Sequence, residues 1–285
     1  MRTWLRPPIL AIALVLVVLI ATGVTAACDG GNLGGSASTG RTGGQATSSG
    51  KATAPICERL FVPAYFSAPY WETTITSKHK PANMILDVDG NGAGSAPDPQ
   101  LQHLVKRAQA AGITVLGYSS TANGQRPAAQ VEADVRHYAA WYGVTSVFLD
   151  RVTGTAQTFS YYGKLAAYIH GAHKGAQVWL NPGVYPDDQG YMSIGDVVMV
   201  FEGTYAQYLT TPVPSWAMSY PAARFAHTIY ATPAAVLDTA LKMAQQRNAG
   251  HVFVTDLVGS NPYQGLPSYW GTEGAAAAAG CTRSR

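Results

Sequence analysis

Two acidic residues, Asp150 and Glu202, each follow a short apolar run and are suited to acid–base chemistry. Asp150 follows Val147-Phe148-Leu149, and Glu202 follows Val200-Phe201. A carboxyl group at the tip of a buried strand loses hydration, a cost that must be offset by pairing or by function. Helix capping or ion pairing would explain one such acid. Two in one cleft fit glycoside hydrolysis, in which one carboxyl protonates the leaving oxygen and the other attacks or activates water.

The elements that would position these acids are short apolar runs bounded by glycine or polar residues, which is typical of buried strands. The predicted strands are Leu60–Tyr65, Met84–Asp87, Thr114–Tyr118, Ser146–Asp150, Gln177–Asn181, Asp196–Phe201, Phe225–Tyr230 and His251–Thr255. Amphipathic patterns between them predict helices over Pro99–Ala111, Pro127–Tyr142, Phe159–His170 and Pro233–Asn248. Thr232 is the expected N-cap of the last helix.

The alternation of apolar strands and amphipathic helices predicts a parallel sheet buried on both faces. Eight such units in about 230 residues fit a single-domain (β/α)8 TIM-type barrel, whose usual size is about 250 residues. A doubly wound open sheet is the alternative, but it usually has a glycine-rich turn after its first strand. Here the first strand ends Val62-Pro63-Ala64-Tyr65, without that turn.

In a barrel of this kind the active site lies at the carboxyl ends of the strands, so residues there are candidates for substrate binding. The candidates are Tyr65, Asp87, Tyr118, Arg151, Asn181, Tyr205, His227 and Asp256. Trp71, Tyr185 and Tyr263 are further aromatic side chains near strand ends that could either stack on sugar rings or pack in the core.

The composition restricts the class of substrate. Of 285 residues 12% are charged and 10% are aromatic, and the formal net charge is +3. This aromatic content excludes a disordered chain, and the near-neutral balance argues against a nucleic-acid partner. We expect a monomer that acts on a polysaccharide without a cofactor. The segment Asp87–Gly92 is similar to a Ca²⁺-binding loop, but it follows a strand rather than a helix, so we predict no metal site.

The N-terminus is typical of a bacterial export signal. Residues 1–27 contain two arginines and the apolar run Ile9–Ala21, which is too short to span a bilayer and predicts a signal peptide. Small residues before Cys28 resemble a lipoprotein cleavage site, although Thr25 stands where leucine is usual. We therefore expect a lipid anchor on the outer face of the membrane, with free secretion as the alternative. Residues 28–56, rich in glycine, serine and threonine, predict a flexible tether.

The cysteine count bears on the remaining domain, residues 57–285. The chain has three cysteines. If Cys28 carries a lipid, Cys57 and Cys281 are left to pair and would join the two ends of the barrel domain.

A set of short motifs, in order along residues 58–270, resembles the spherulation-specific family 4 (spherulin-4-like) proteins. The motifs are Phe61-Val62-Pro63-Ala64-Tyr65-Phe66, Gly117-Tyr118, Trp141-Tyr142-Gly143-Val144, Phe148-Leu149-Asp150, Asn181-Pro182-Gly183, Phe201-Glu202, Val254-Thr255-Asp256 and Leu266-Pro267-Ser268-Tyr269-Trp270. The resemblance implies a (β/α)8 barrel related to microbial endo-α-1,4-N-acetylgalactosaminidases, with the family's catalytic acids at Asp150 and Glu202.

One position departs from the family pattern. In the family that this chain resembles, characterised hydrolases have Asp-Glu after the fourth strand. This chain has Asp150-Arg151 at that place. Arg151 could bind an acidic sugar, interact electrostatically with Asp150, or point away from the cleft. Two hypotheses follow: a secreted or lipid-anchored glycoside hydrolase acting on galactosamine- or N-acetylgalactosamine-containing polysaccharide, or a non-catalytic carbohydrate-binding surface protein on the same barrel.

Overall fold

The computed structural model describes the backbone of residues 58–282 and side chains as far as Ala279. The predicted signal peptide, Cys28, the tether and Cys57 lie outside the described residues, and so does the side chain of Cys281. Within the described range, eight parallel strands form a closed barrel in which neighbours in sequence are neighbours in space, and β8 pairs with β1. The predicted (β/α)8 barrel is therefore confirmed.

The strands agree with the prediction to within three residues at either end. They are β1 Arg59–Pro63, β2 Asn83–Leu86, β3 Thr114–Ser120, β4 Ser146–Asp150, β5 Val178–Leu180, β6 Val197–Thr204, β7 Phe225–Tyr230 and β8 His251–Val254. The largest difference is in β6, which continues beyond Phe201 to Thr204. A register shift against β7 lies between Met199 and Phe201.

The helices cover the outside of the barrel. They are α1 Ala68–Thr76, α2 Pro99–Ala110, α3 Ala128–His137, α4 Phe159–Ala172, α5 Tyr205–Thr210, α6 Leu237–Gln246 and α7 Trp270–Thr282. No helix in residues 58–282 has both the length and the apolar character needed to cross a bilayer.

Two of the predicted helices differ in character from the prediction. The helix predicted over Pro127–Tyr142 continues as one π-helical turn, Tyr138–Tyr142, and ends at Gly143 with φ 63°. The predicted N-cap at Thr232 is wrong, because Pro233 precedes a 3₁₀ turn and α6 begins only at Leu237. The hydroxyl of Thr232 donates to the carbonyl of Ile229 instead.

Large side chains fill the barrel interior. The ring of Phe61 on β1 lies 5.5 Å from that of Trp179 on β5 and 6.4 Å from that of Phe253 on β8. Contact between β1 and β5, on opposite sides of the barrel, shows that the centre is packed rather than open, as is usual for this fold. The interior is therefore closed below its carboxyl end, where the polar side chains lie.

Candidate active site

Asp150 and Glu202 lie together at the carboxyl end of the barrel, on either side of Asn181. Asp150 is the last residue of β4, Glu202 lies on β6, and Asn181 directly follows β5 between them. The Nδ2 group of Asn181 donates to Oδ1 of Asp150 at 2.7 Å and to Oε2 of Glu202 at 2.8 Å. These two distances place the two carboxylate oxygens within about 5.5 Å of each other.

The two carboxylates also determine the orientation of the Asn181 amide. An ionised carboxylate can only accept hydrogen bonds, so the NH₂ group and not the carbonyl must face both acids. Both amide protons are used in this way. The Oδ1 atom of Asn181 is buried and has no hydrogen-bond partner within the described part of the chain.

Two tyrosines also donate hydrogen bonds to the acids. The hydroxyl of Tyr118, on β3, donates to Oδ2 of Asp150 at 2.6 Å. The hydroxyl of Tyr263, in the segment between β8 and α7, donates to Oε1 of Glu202 at 2.6 Å. Each carboxylate therefore accepts one phenol and one amide proton. Tyr118 lies at the carboxyl end of the barrel, where the sequence predicts it. Its hydroxyl is hydrogen-bonded to an acid, and the side chain is almost fully buried.

Tyr65, two residues after β1, packs edge-on against both of these tyrosines. Its ring centroid lies 5.7 Å from that of Tyr118 and 5.8 Å from that of Tyr263. Burial raises the pKa of Tyr65 well above its usual value, and the nearby charge of Asp150 raises it further. Burial and the charge of Glu202 do the same to the pKa of Tyr263. Both phenols thus stay protonated.

Asp87 lies on the same side of the barrel as Tyr65. Its Oδ1 atom accepts a hydrogen bond from the backbone of Gly90 at 2.7 Å, and its charge contributes to the raised pKa of Tyr65. Asp89, in the same loop, accepts from the backbone of Asn91 and Gly92. The acids of this Ca²⁺-loop-like segment therefore cap its backbone. In residues 58–279 no three His, Cys, Asp or Glu side chains form a metal-binding cluster.

The loop after β2 is supported by a buried ion pair. Arg126 lies 2.7 Å from Asp134 and also donates to the carbonyl of Asn91. The other oxygen of Asp134 accepts from the backbone of Ala93 at 3.3 Å. A side chain at Gly92 would overlap the Asp134 carboxylate, so glycine is needed for this close approach. Local sequence patterns do not indicate this cluster, which holds the loop containing Asp87.

Asp256, two residues after β8, forms hydrogen bonds within its own loop. Its carboxylate accepts from the backbone N–H of Ser268 at 3.0 Å and from the hydroxyl of the same residue. This pair of bonds closes the segment 256–268, which contains Tyr263. Asp256 therefore lies at the predicted end of the barrel, where it joins the two ends of a loop.

Arg151 has an unusual backbone conformation. Its φ is 54°, in the left-handed region that disfavours side chains with a Cβ. Its carbonyl accepts from the hydroxyl of Thr121 at 2.8 Å and from the backbone of Asn123 at 2.9 Å. The side chain is exposed, and no ion pair within the described residues joins it to Asp150 or Glu202.

The last two predicted binding residues lie in different surroundings. Tyr205 is half-buried at the start of α5, which begins with a capping box at Thr204. His227 is almost fully buried, and its Nδ1 atom lies 2.7 Å from the hydroxyl of Tyr208 on α5. Burial, helped by the charge of Arg247, lowers the pKa of His227 to about 3. The structure places His227 between sheet and helix layer, away from the acids.

Tyr230 is the residue of β7 that lies on the side of Glu202 instead. Thr228 pairs in register with Glu202, and Tyr230, two positions further on, lies on the same face of the strand. Burial raises the pKa of Tyr230, as does the charge of Glu202. Only its place at the end of a predicted strand could have indicated it.

Comparisons with known proteins agree with this architecture. The model of spherulation-specific family 4 matches residues 59–277. Spherulin-4 of Physarum polycephalum is 28% identical over 232 residues, which cover 76% of this chain and 69% of that protein.

Two solved structures share the fold. One is Aspergillus clavatus Sph3 in complex with GalNAc, with TM-score 0.65 and 23% identity over 78% of this chain and 98% of that one. The other is a chitinase from Chromobacterium violaceum, with TM-score 0.54 and 12% identity over 79% and 99% of the two chains. With the family match covering most of its length, this chain belongs to spherulation-specific family 4.

Proposed function

We propose that the protein is a glycoside hydrolase that uses Asp150 and Glu202 as its carboxylate pair and retains the configuration of the anomeric carbon. The observation that carries the proposal is the amide of Asn181, which donates to both acids. It holds Oδ1 of Asp150 and Oε2 of Glu202 at most about 5.5 Å apart. Retaining enzymes have carboxyl groups about 5–5.5 Å apart, whereas inverting enzymes need about 6.5–9.5 Å to admit a water molecule.

In the proposed reaction, Glu202 is the general acid/base and Asp150 is the nucleophile. Glu202 donates a proton to the glycosidic oxygen as the carboxylate of Asp150 bonds to the anomeric carbon and the leaving sugar departs. Glu202, now ionised, then takes a proton from water, whose oxygen attacks the same carbon and releases Asp150. Tyr118 and Asn181 hold the Asp150 carboxylate in place for attack.

The proposed substrate is a polysaccharide containing galactosamine or N-acetylgalactosamine. Two findings support this substrate: the chain belongs to spherulation-specific family 4, and its structural neighbour Sph3 was crystallised with GalNAc. The partly exposed rings of Tyr205 and Tyr230 at the same end of the barrel offer apolar surface to a sugar. The low overall charge of the chain also suits a carbohydrate that is not strongly anionic.

The test is to incubate the purified protein with galactosamine-containing polysaccharide and to measure new reducing ends. Proton NMR of the first products then gives the anomeric configuration. We expect reducing ends to appear, with retained configuration, and Glu202→Gln to abolish their release while the circular dichroism spectrum is unchanged. Full activity of Glu202→Gln, or products of inverted configuration, would contradict the proposal.

The second candidate is a carbohydrate-binding protein without catalytic activity. Arg151 favours it, because a cation follows Asp150 where the family pattern that this chain resembles has a second acid. The same incubation separates the two candidates. Binding of the polysaccharide in a pull-down without release of reducing ends would favour the binding protein, whereas release favours the hydrolase.

We also propose that the protein is exported and anchored to the outer face of the membrane by a lipid on Cys28. The support is the charged and apolar pattern of residues 1–27 followed by cysteine. Mass spectrometry of the N-terminal peptide tests this: a diacylglyceryl-modified Cys28 is expected. An unmodified peptide that begins near residue 28 would show free secretion instead.

A further inference from the structure

The two tyrosines that donate to the acids are too buried to serve as stacking platforms. Tyr118 is 3% exposed and Tyr263 is 7% exposed. The ring of Tyr263 lies 5.8 Å from that of Tyr65 and 6.4 Å from that of Phe253, so other aromatic rings surround it. A sugar ring needs a free aromatic face, and these side chains offer little. Their hydroxyl groups, in contrast, reach the acids directly.

The two tyrosines are positioned by different parts of the fold. Tyr118 lies within β3, which is hydrogen-bonded to β2 and β4, and pairs in register with Phe148. Tyr263 lies outside the strands. Its backbone N–H donates to Oδ1 of Asn261 at 3.2 Å, and the bonds between Asp256 and Ser268 close the segment around it.

The chemistry of the two donors to Glu202 also differs. The amide nitrogen of Asn181 can only donate, whereas a hydroxyl can donate or accept after rotation about its C–O bond. When Glu202 is ionised, Tyr263 donates to it at 2.6 Å. When Glu202 is protonated, the same hydroxyl can turn and accept. A donor to the charged form favours ionisation, so loss of the Tyr263 hydroxyl should make Glu202 hold its proton more strongly.

We propose that Tyr263 is the positioning residue of Glu202 and that Tyr118 is the positioning residue of Asp150. The two carboxylates share the amide of Asn181, but each has its own phenol, which sets its affinity for a proton. The inference builds on the proposed function, which assigns these carboxylates as the reacting pair. It adds roles for two tyrosines that the proposed reaction does not itself require.

Carboxyl-carbon NMR of the full chain, with ¹³C-labelled Asp and Glu side chains, tests the proposal without any substrate. The signals of the two acids are assigned from their loss in Asp150→Asn and Glu202→Gln. In Tyr263→Phe we expect the titration midpoint of the Glu202 signal to rise by about one to two pH units, the equivalent of one charge-assisted hydrogen bond. The Asp150 signal should move less. Tyr118→Phe should give the reverse pattern.

Tyr269→Phe is the matched control. Tyr269 lies at the end of the same segment and is buried, but its hydroxyl donates to the carbonyl of Thr232 at 2.9 Å. We expect both midpoints to stay at their wild-type values in this variant. Equal movement of both signals in Tyr263→Phe, no movement, or the same movement in Tyr269→Phe would overturn the proposal.

Kinetics provide a second readout if polysaccharide is cleaved. The two limbs of the pH dependence of kcat/KM report the two carboxyl groups of the free enzyme. Tyr263→Phe should shift the alkaline limb upward, and Tyr118→Phe the acidic limb. A wild-type protein that releases no reducing ends would contradict the proposed function, while the NMR titration would still decide the roles of the tyrosines.

Discussion

The side-chain nitrogen of Asn181 lies 2.8 Å from Oε2 of Glu202, and its second proton is donated to the other acid of the site. In Asn181→Asp both donors are lost and a third carboxyl is placed between the two acids. Preorganised donors of this kind are worth about 10²–10³ in turnover, so we expect kcat to fall by at least about 100-fold. Asn123→Asp, which adds the same charge to the loop after β3, should change kcat only slightly. A similar loss in both variants would show that charge, rather than hydrogen bonding, is responsible.

Azide should distinguish the roles of the two acids. With an aryl galactosaminide, Glu202→Ala should be reactivated by azide and give a glycosyl azide of retained configuration, because the covalent intermediate with Asp150 still forms. Asp150→Ala should give a glycosyl azide of inverted configuration. Proton NMR of the products makes the measurement. Exchange of the two outcomes would assign the acids the other way round, and absence of rescue in both would contradict a covalent intermediate.

Arg151 combines a strained backbone with an exposed side chain, and two substitutions separate these features. Arg151→Gly should raise the free energy of unfolding by about 0.5–1 kcal/mol, since φ of 54° costs a residue with a Cβ more than it costs glycine. Arg151→Ala keeps the strain and removes the side chain beyond Cβ, including the guanidinium. We expect it to raise KM for the polysaccharide more than it lowers kcat. Urea unfolding and initial-rate kinetics check the two effects, and an unchanged KM would exclude Arg151 from substrate binding.

His227 should make the fold sensitive to acid. Burial lowers its pKa in the folded chain from 6.5 to about 3, so between these values the unfolded chain binds a proton that the folded chain does not. This contribution to stability is complete above pH 6.5 and decreases as the pH falls, by at most about 1.4 kcal/mol per pH unit. Urea unfolding at pH 7.5 and pH 5 should show a smaller loss for His227→Gln than for the wild type. An equal loss in the two proteins would refute the role of His227.

Local patterns in the sequence determined most of the architecture. Short apolar runs and the amphipathic segments between them are enough to predict the strands to within three residues and the barrel that they form. Asp150 and Glu202 could be selected because an acid at the end of an apolar run is unusual wherever the chain places it. The 3₁₀ turn after Pro233 has no distinct sequence pattern, so the sequence does not indicate that the helix starts at Leu237.

Only the tertiary structure decided which neighbours these acids have. Both faces of a strand in a parallel barrel are buried, so apolar residues occur on both, and the sequence does not show which face is interior. His227 and Tyr230, both on β7, therefore could not be told apart, although only Tyr230 lies on the face of Glu202. Tyr263 is 61 positions from Glu202, in a segment without periodicity, and barrel closure brings the two together. The sequence by itself thus determined the barrel and the positions of the two acids at its strand ends. Long-range packing decided which groups donate hydrogen bonds to them.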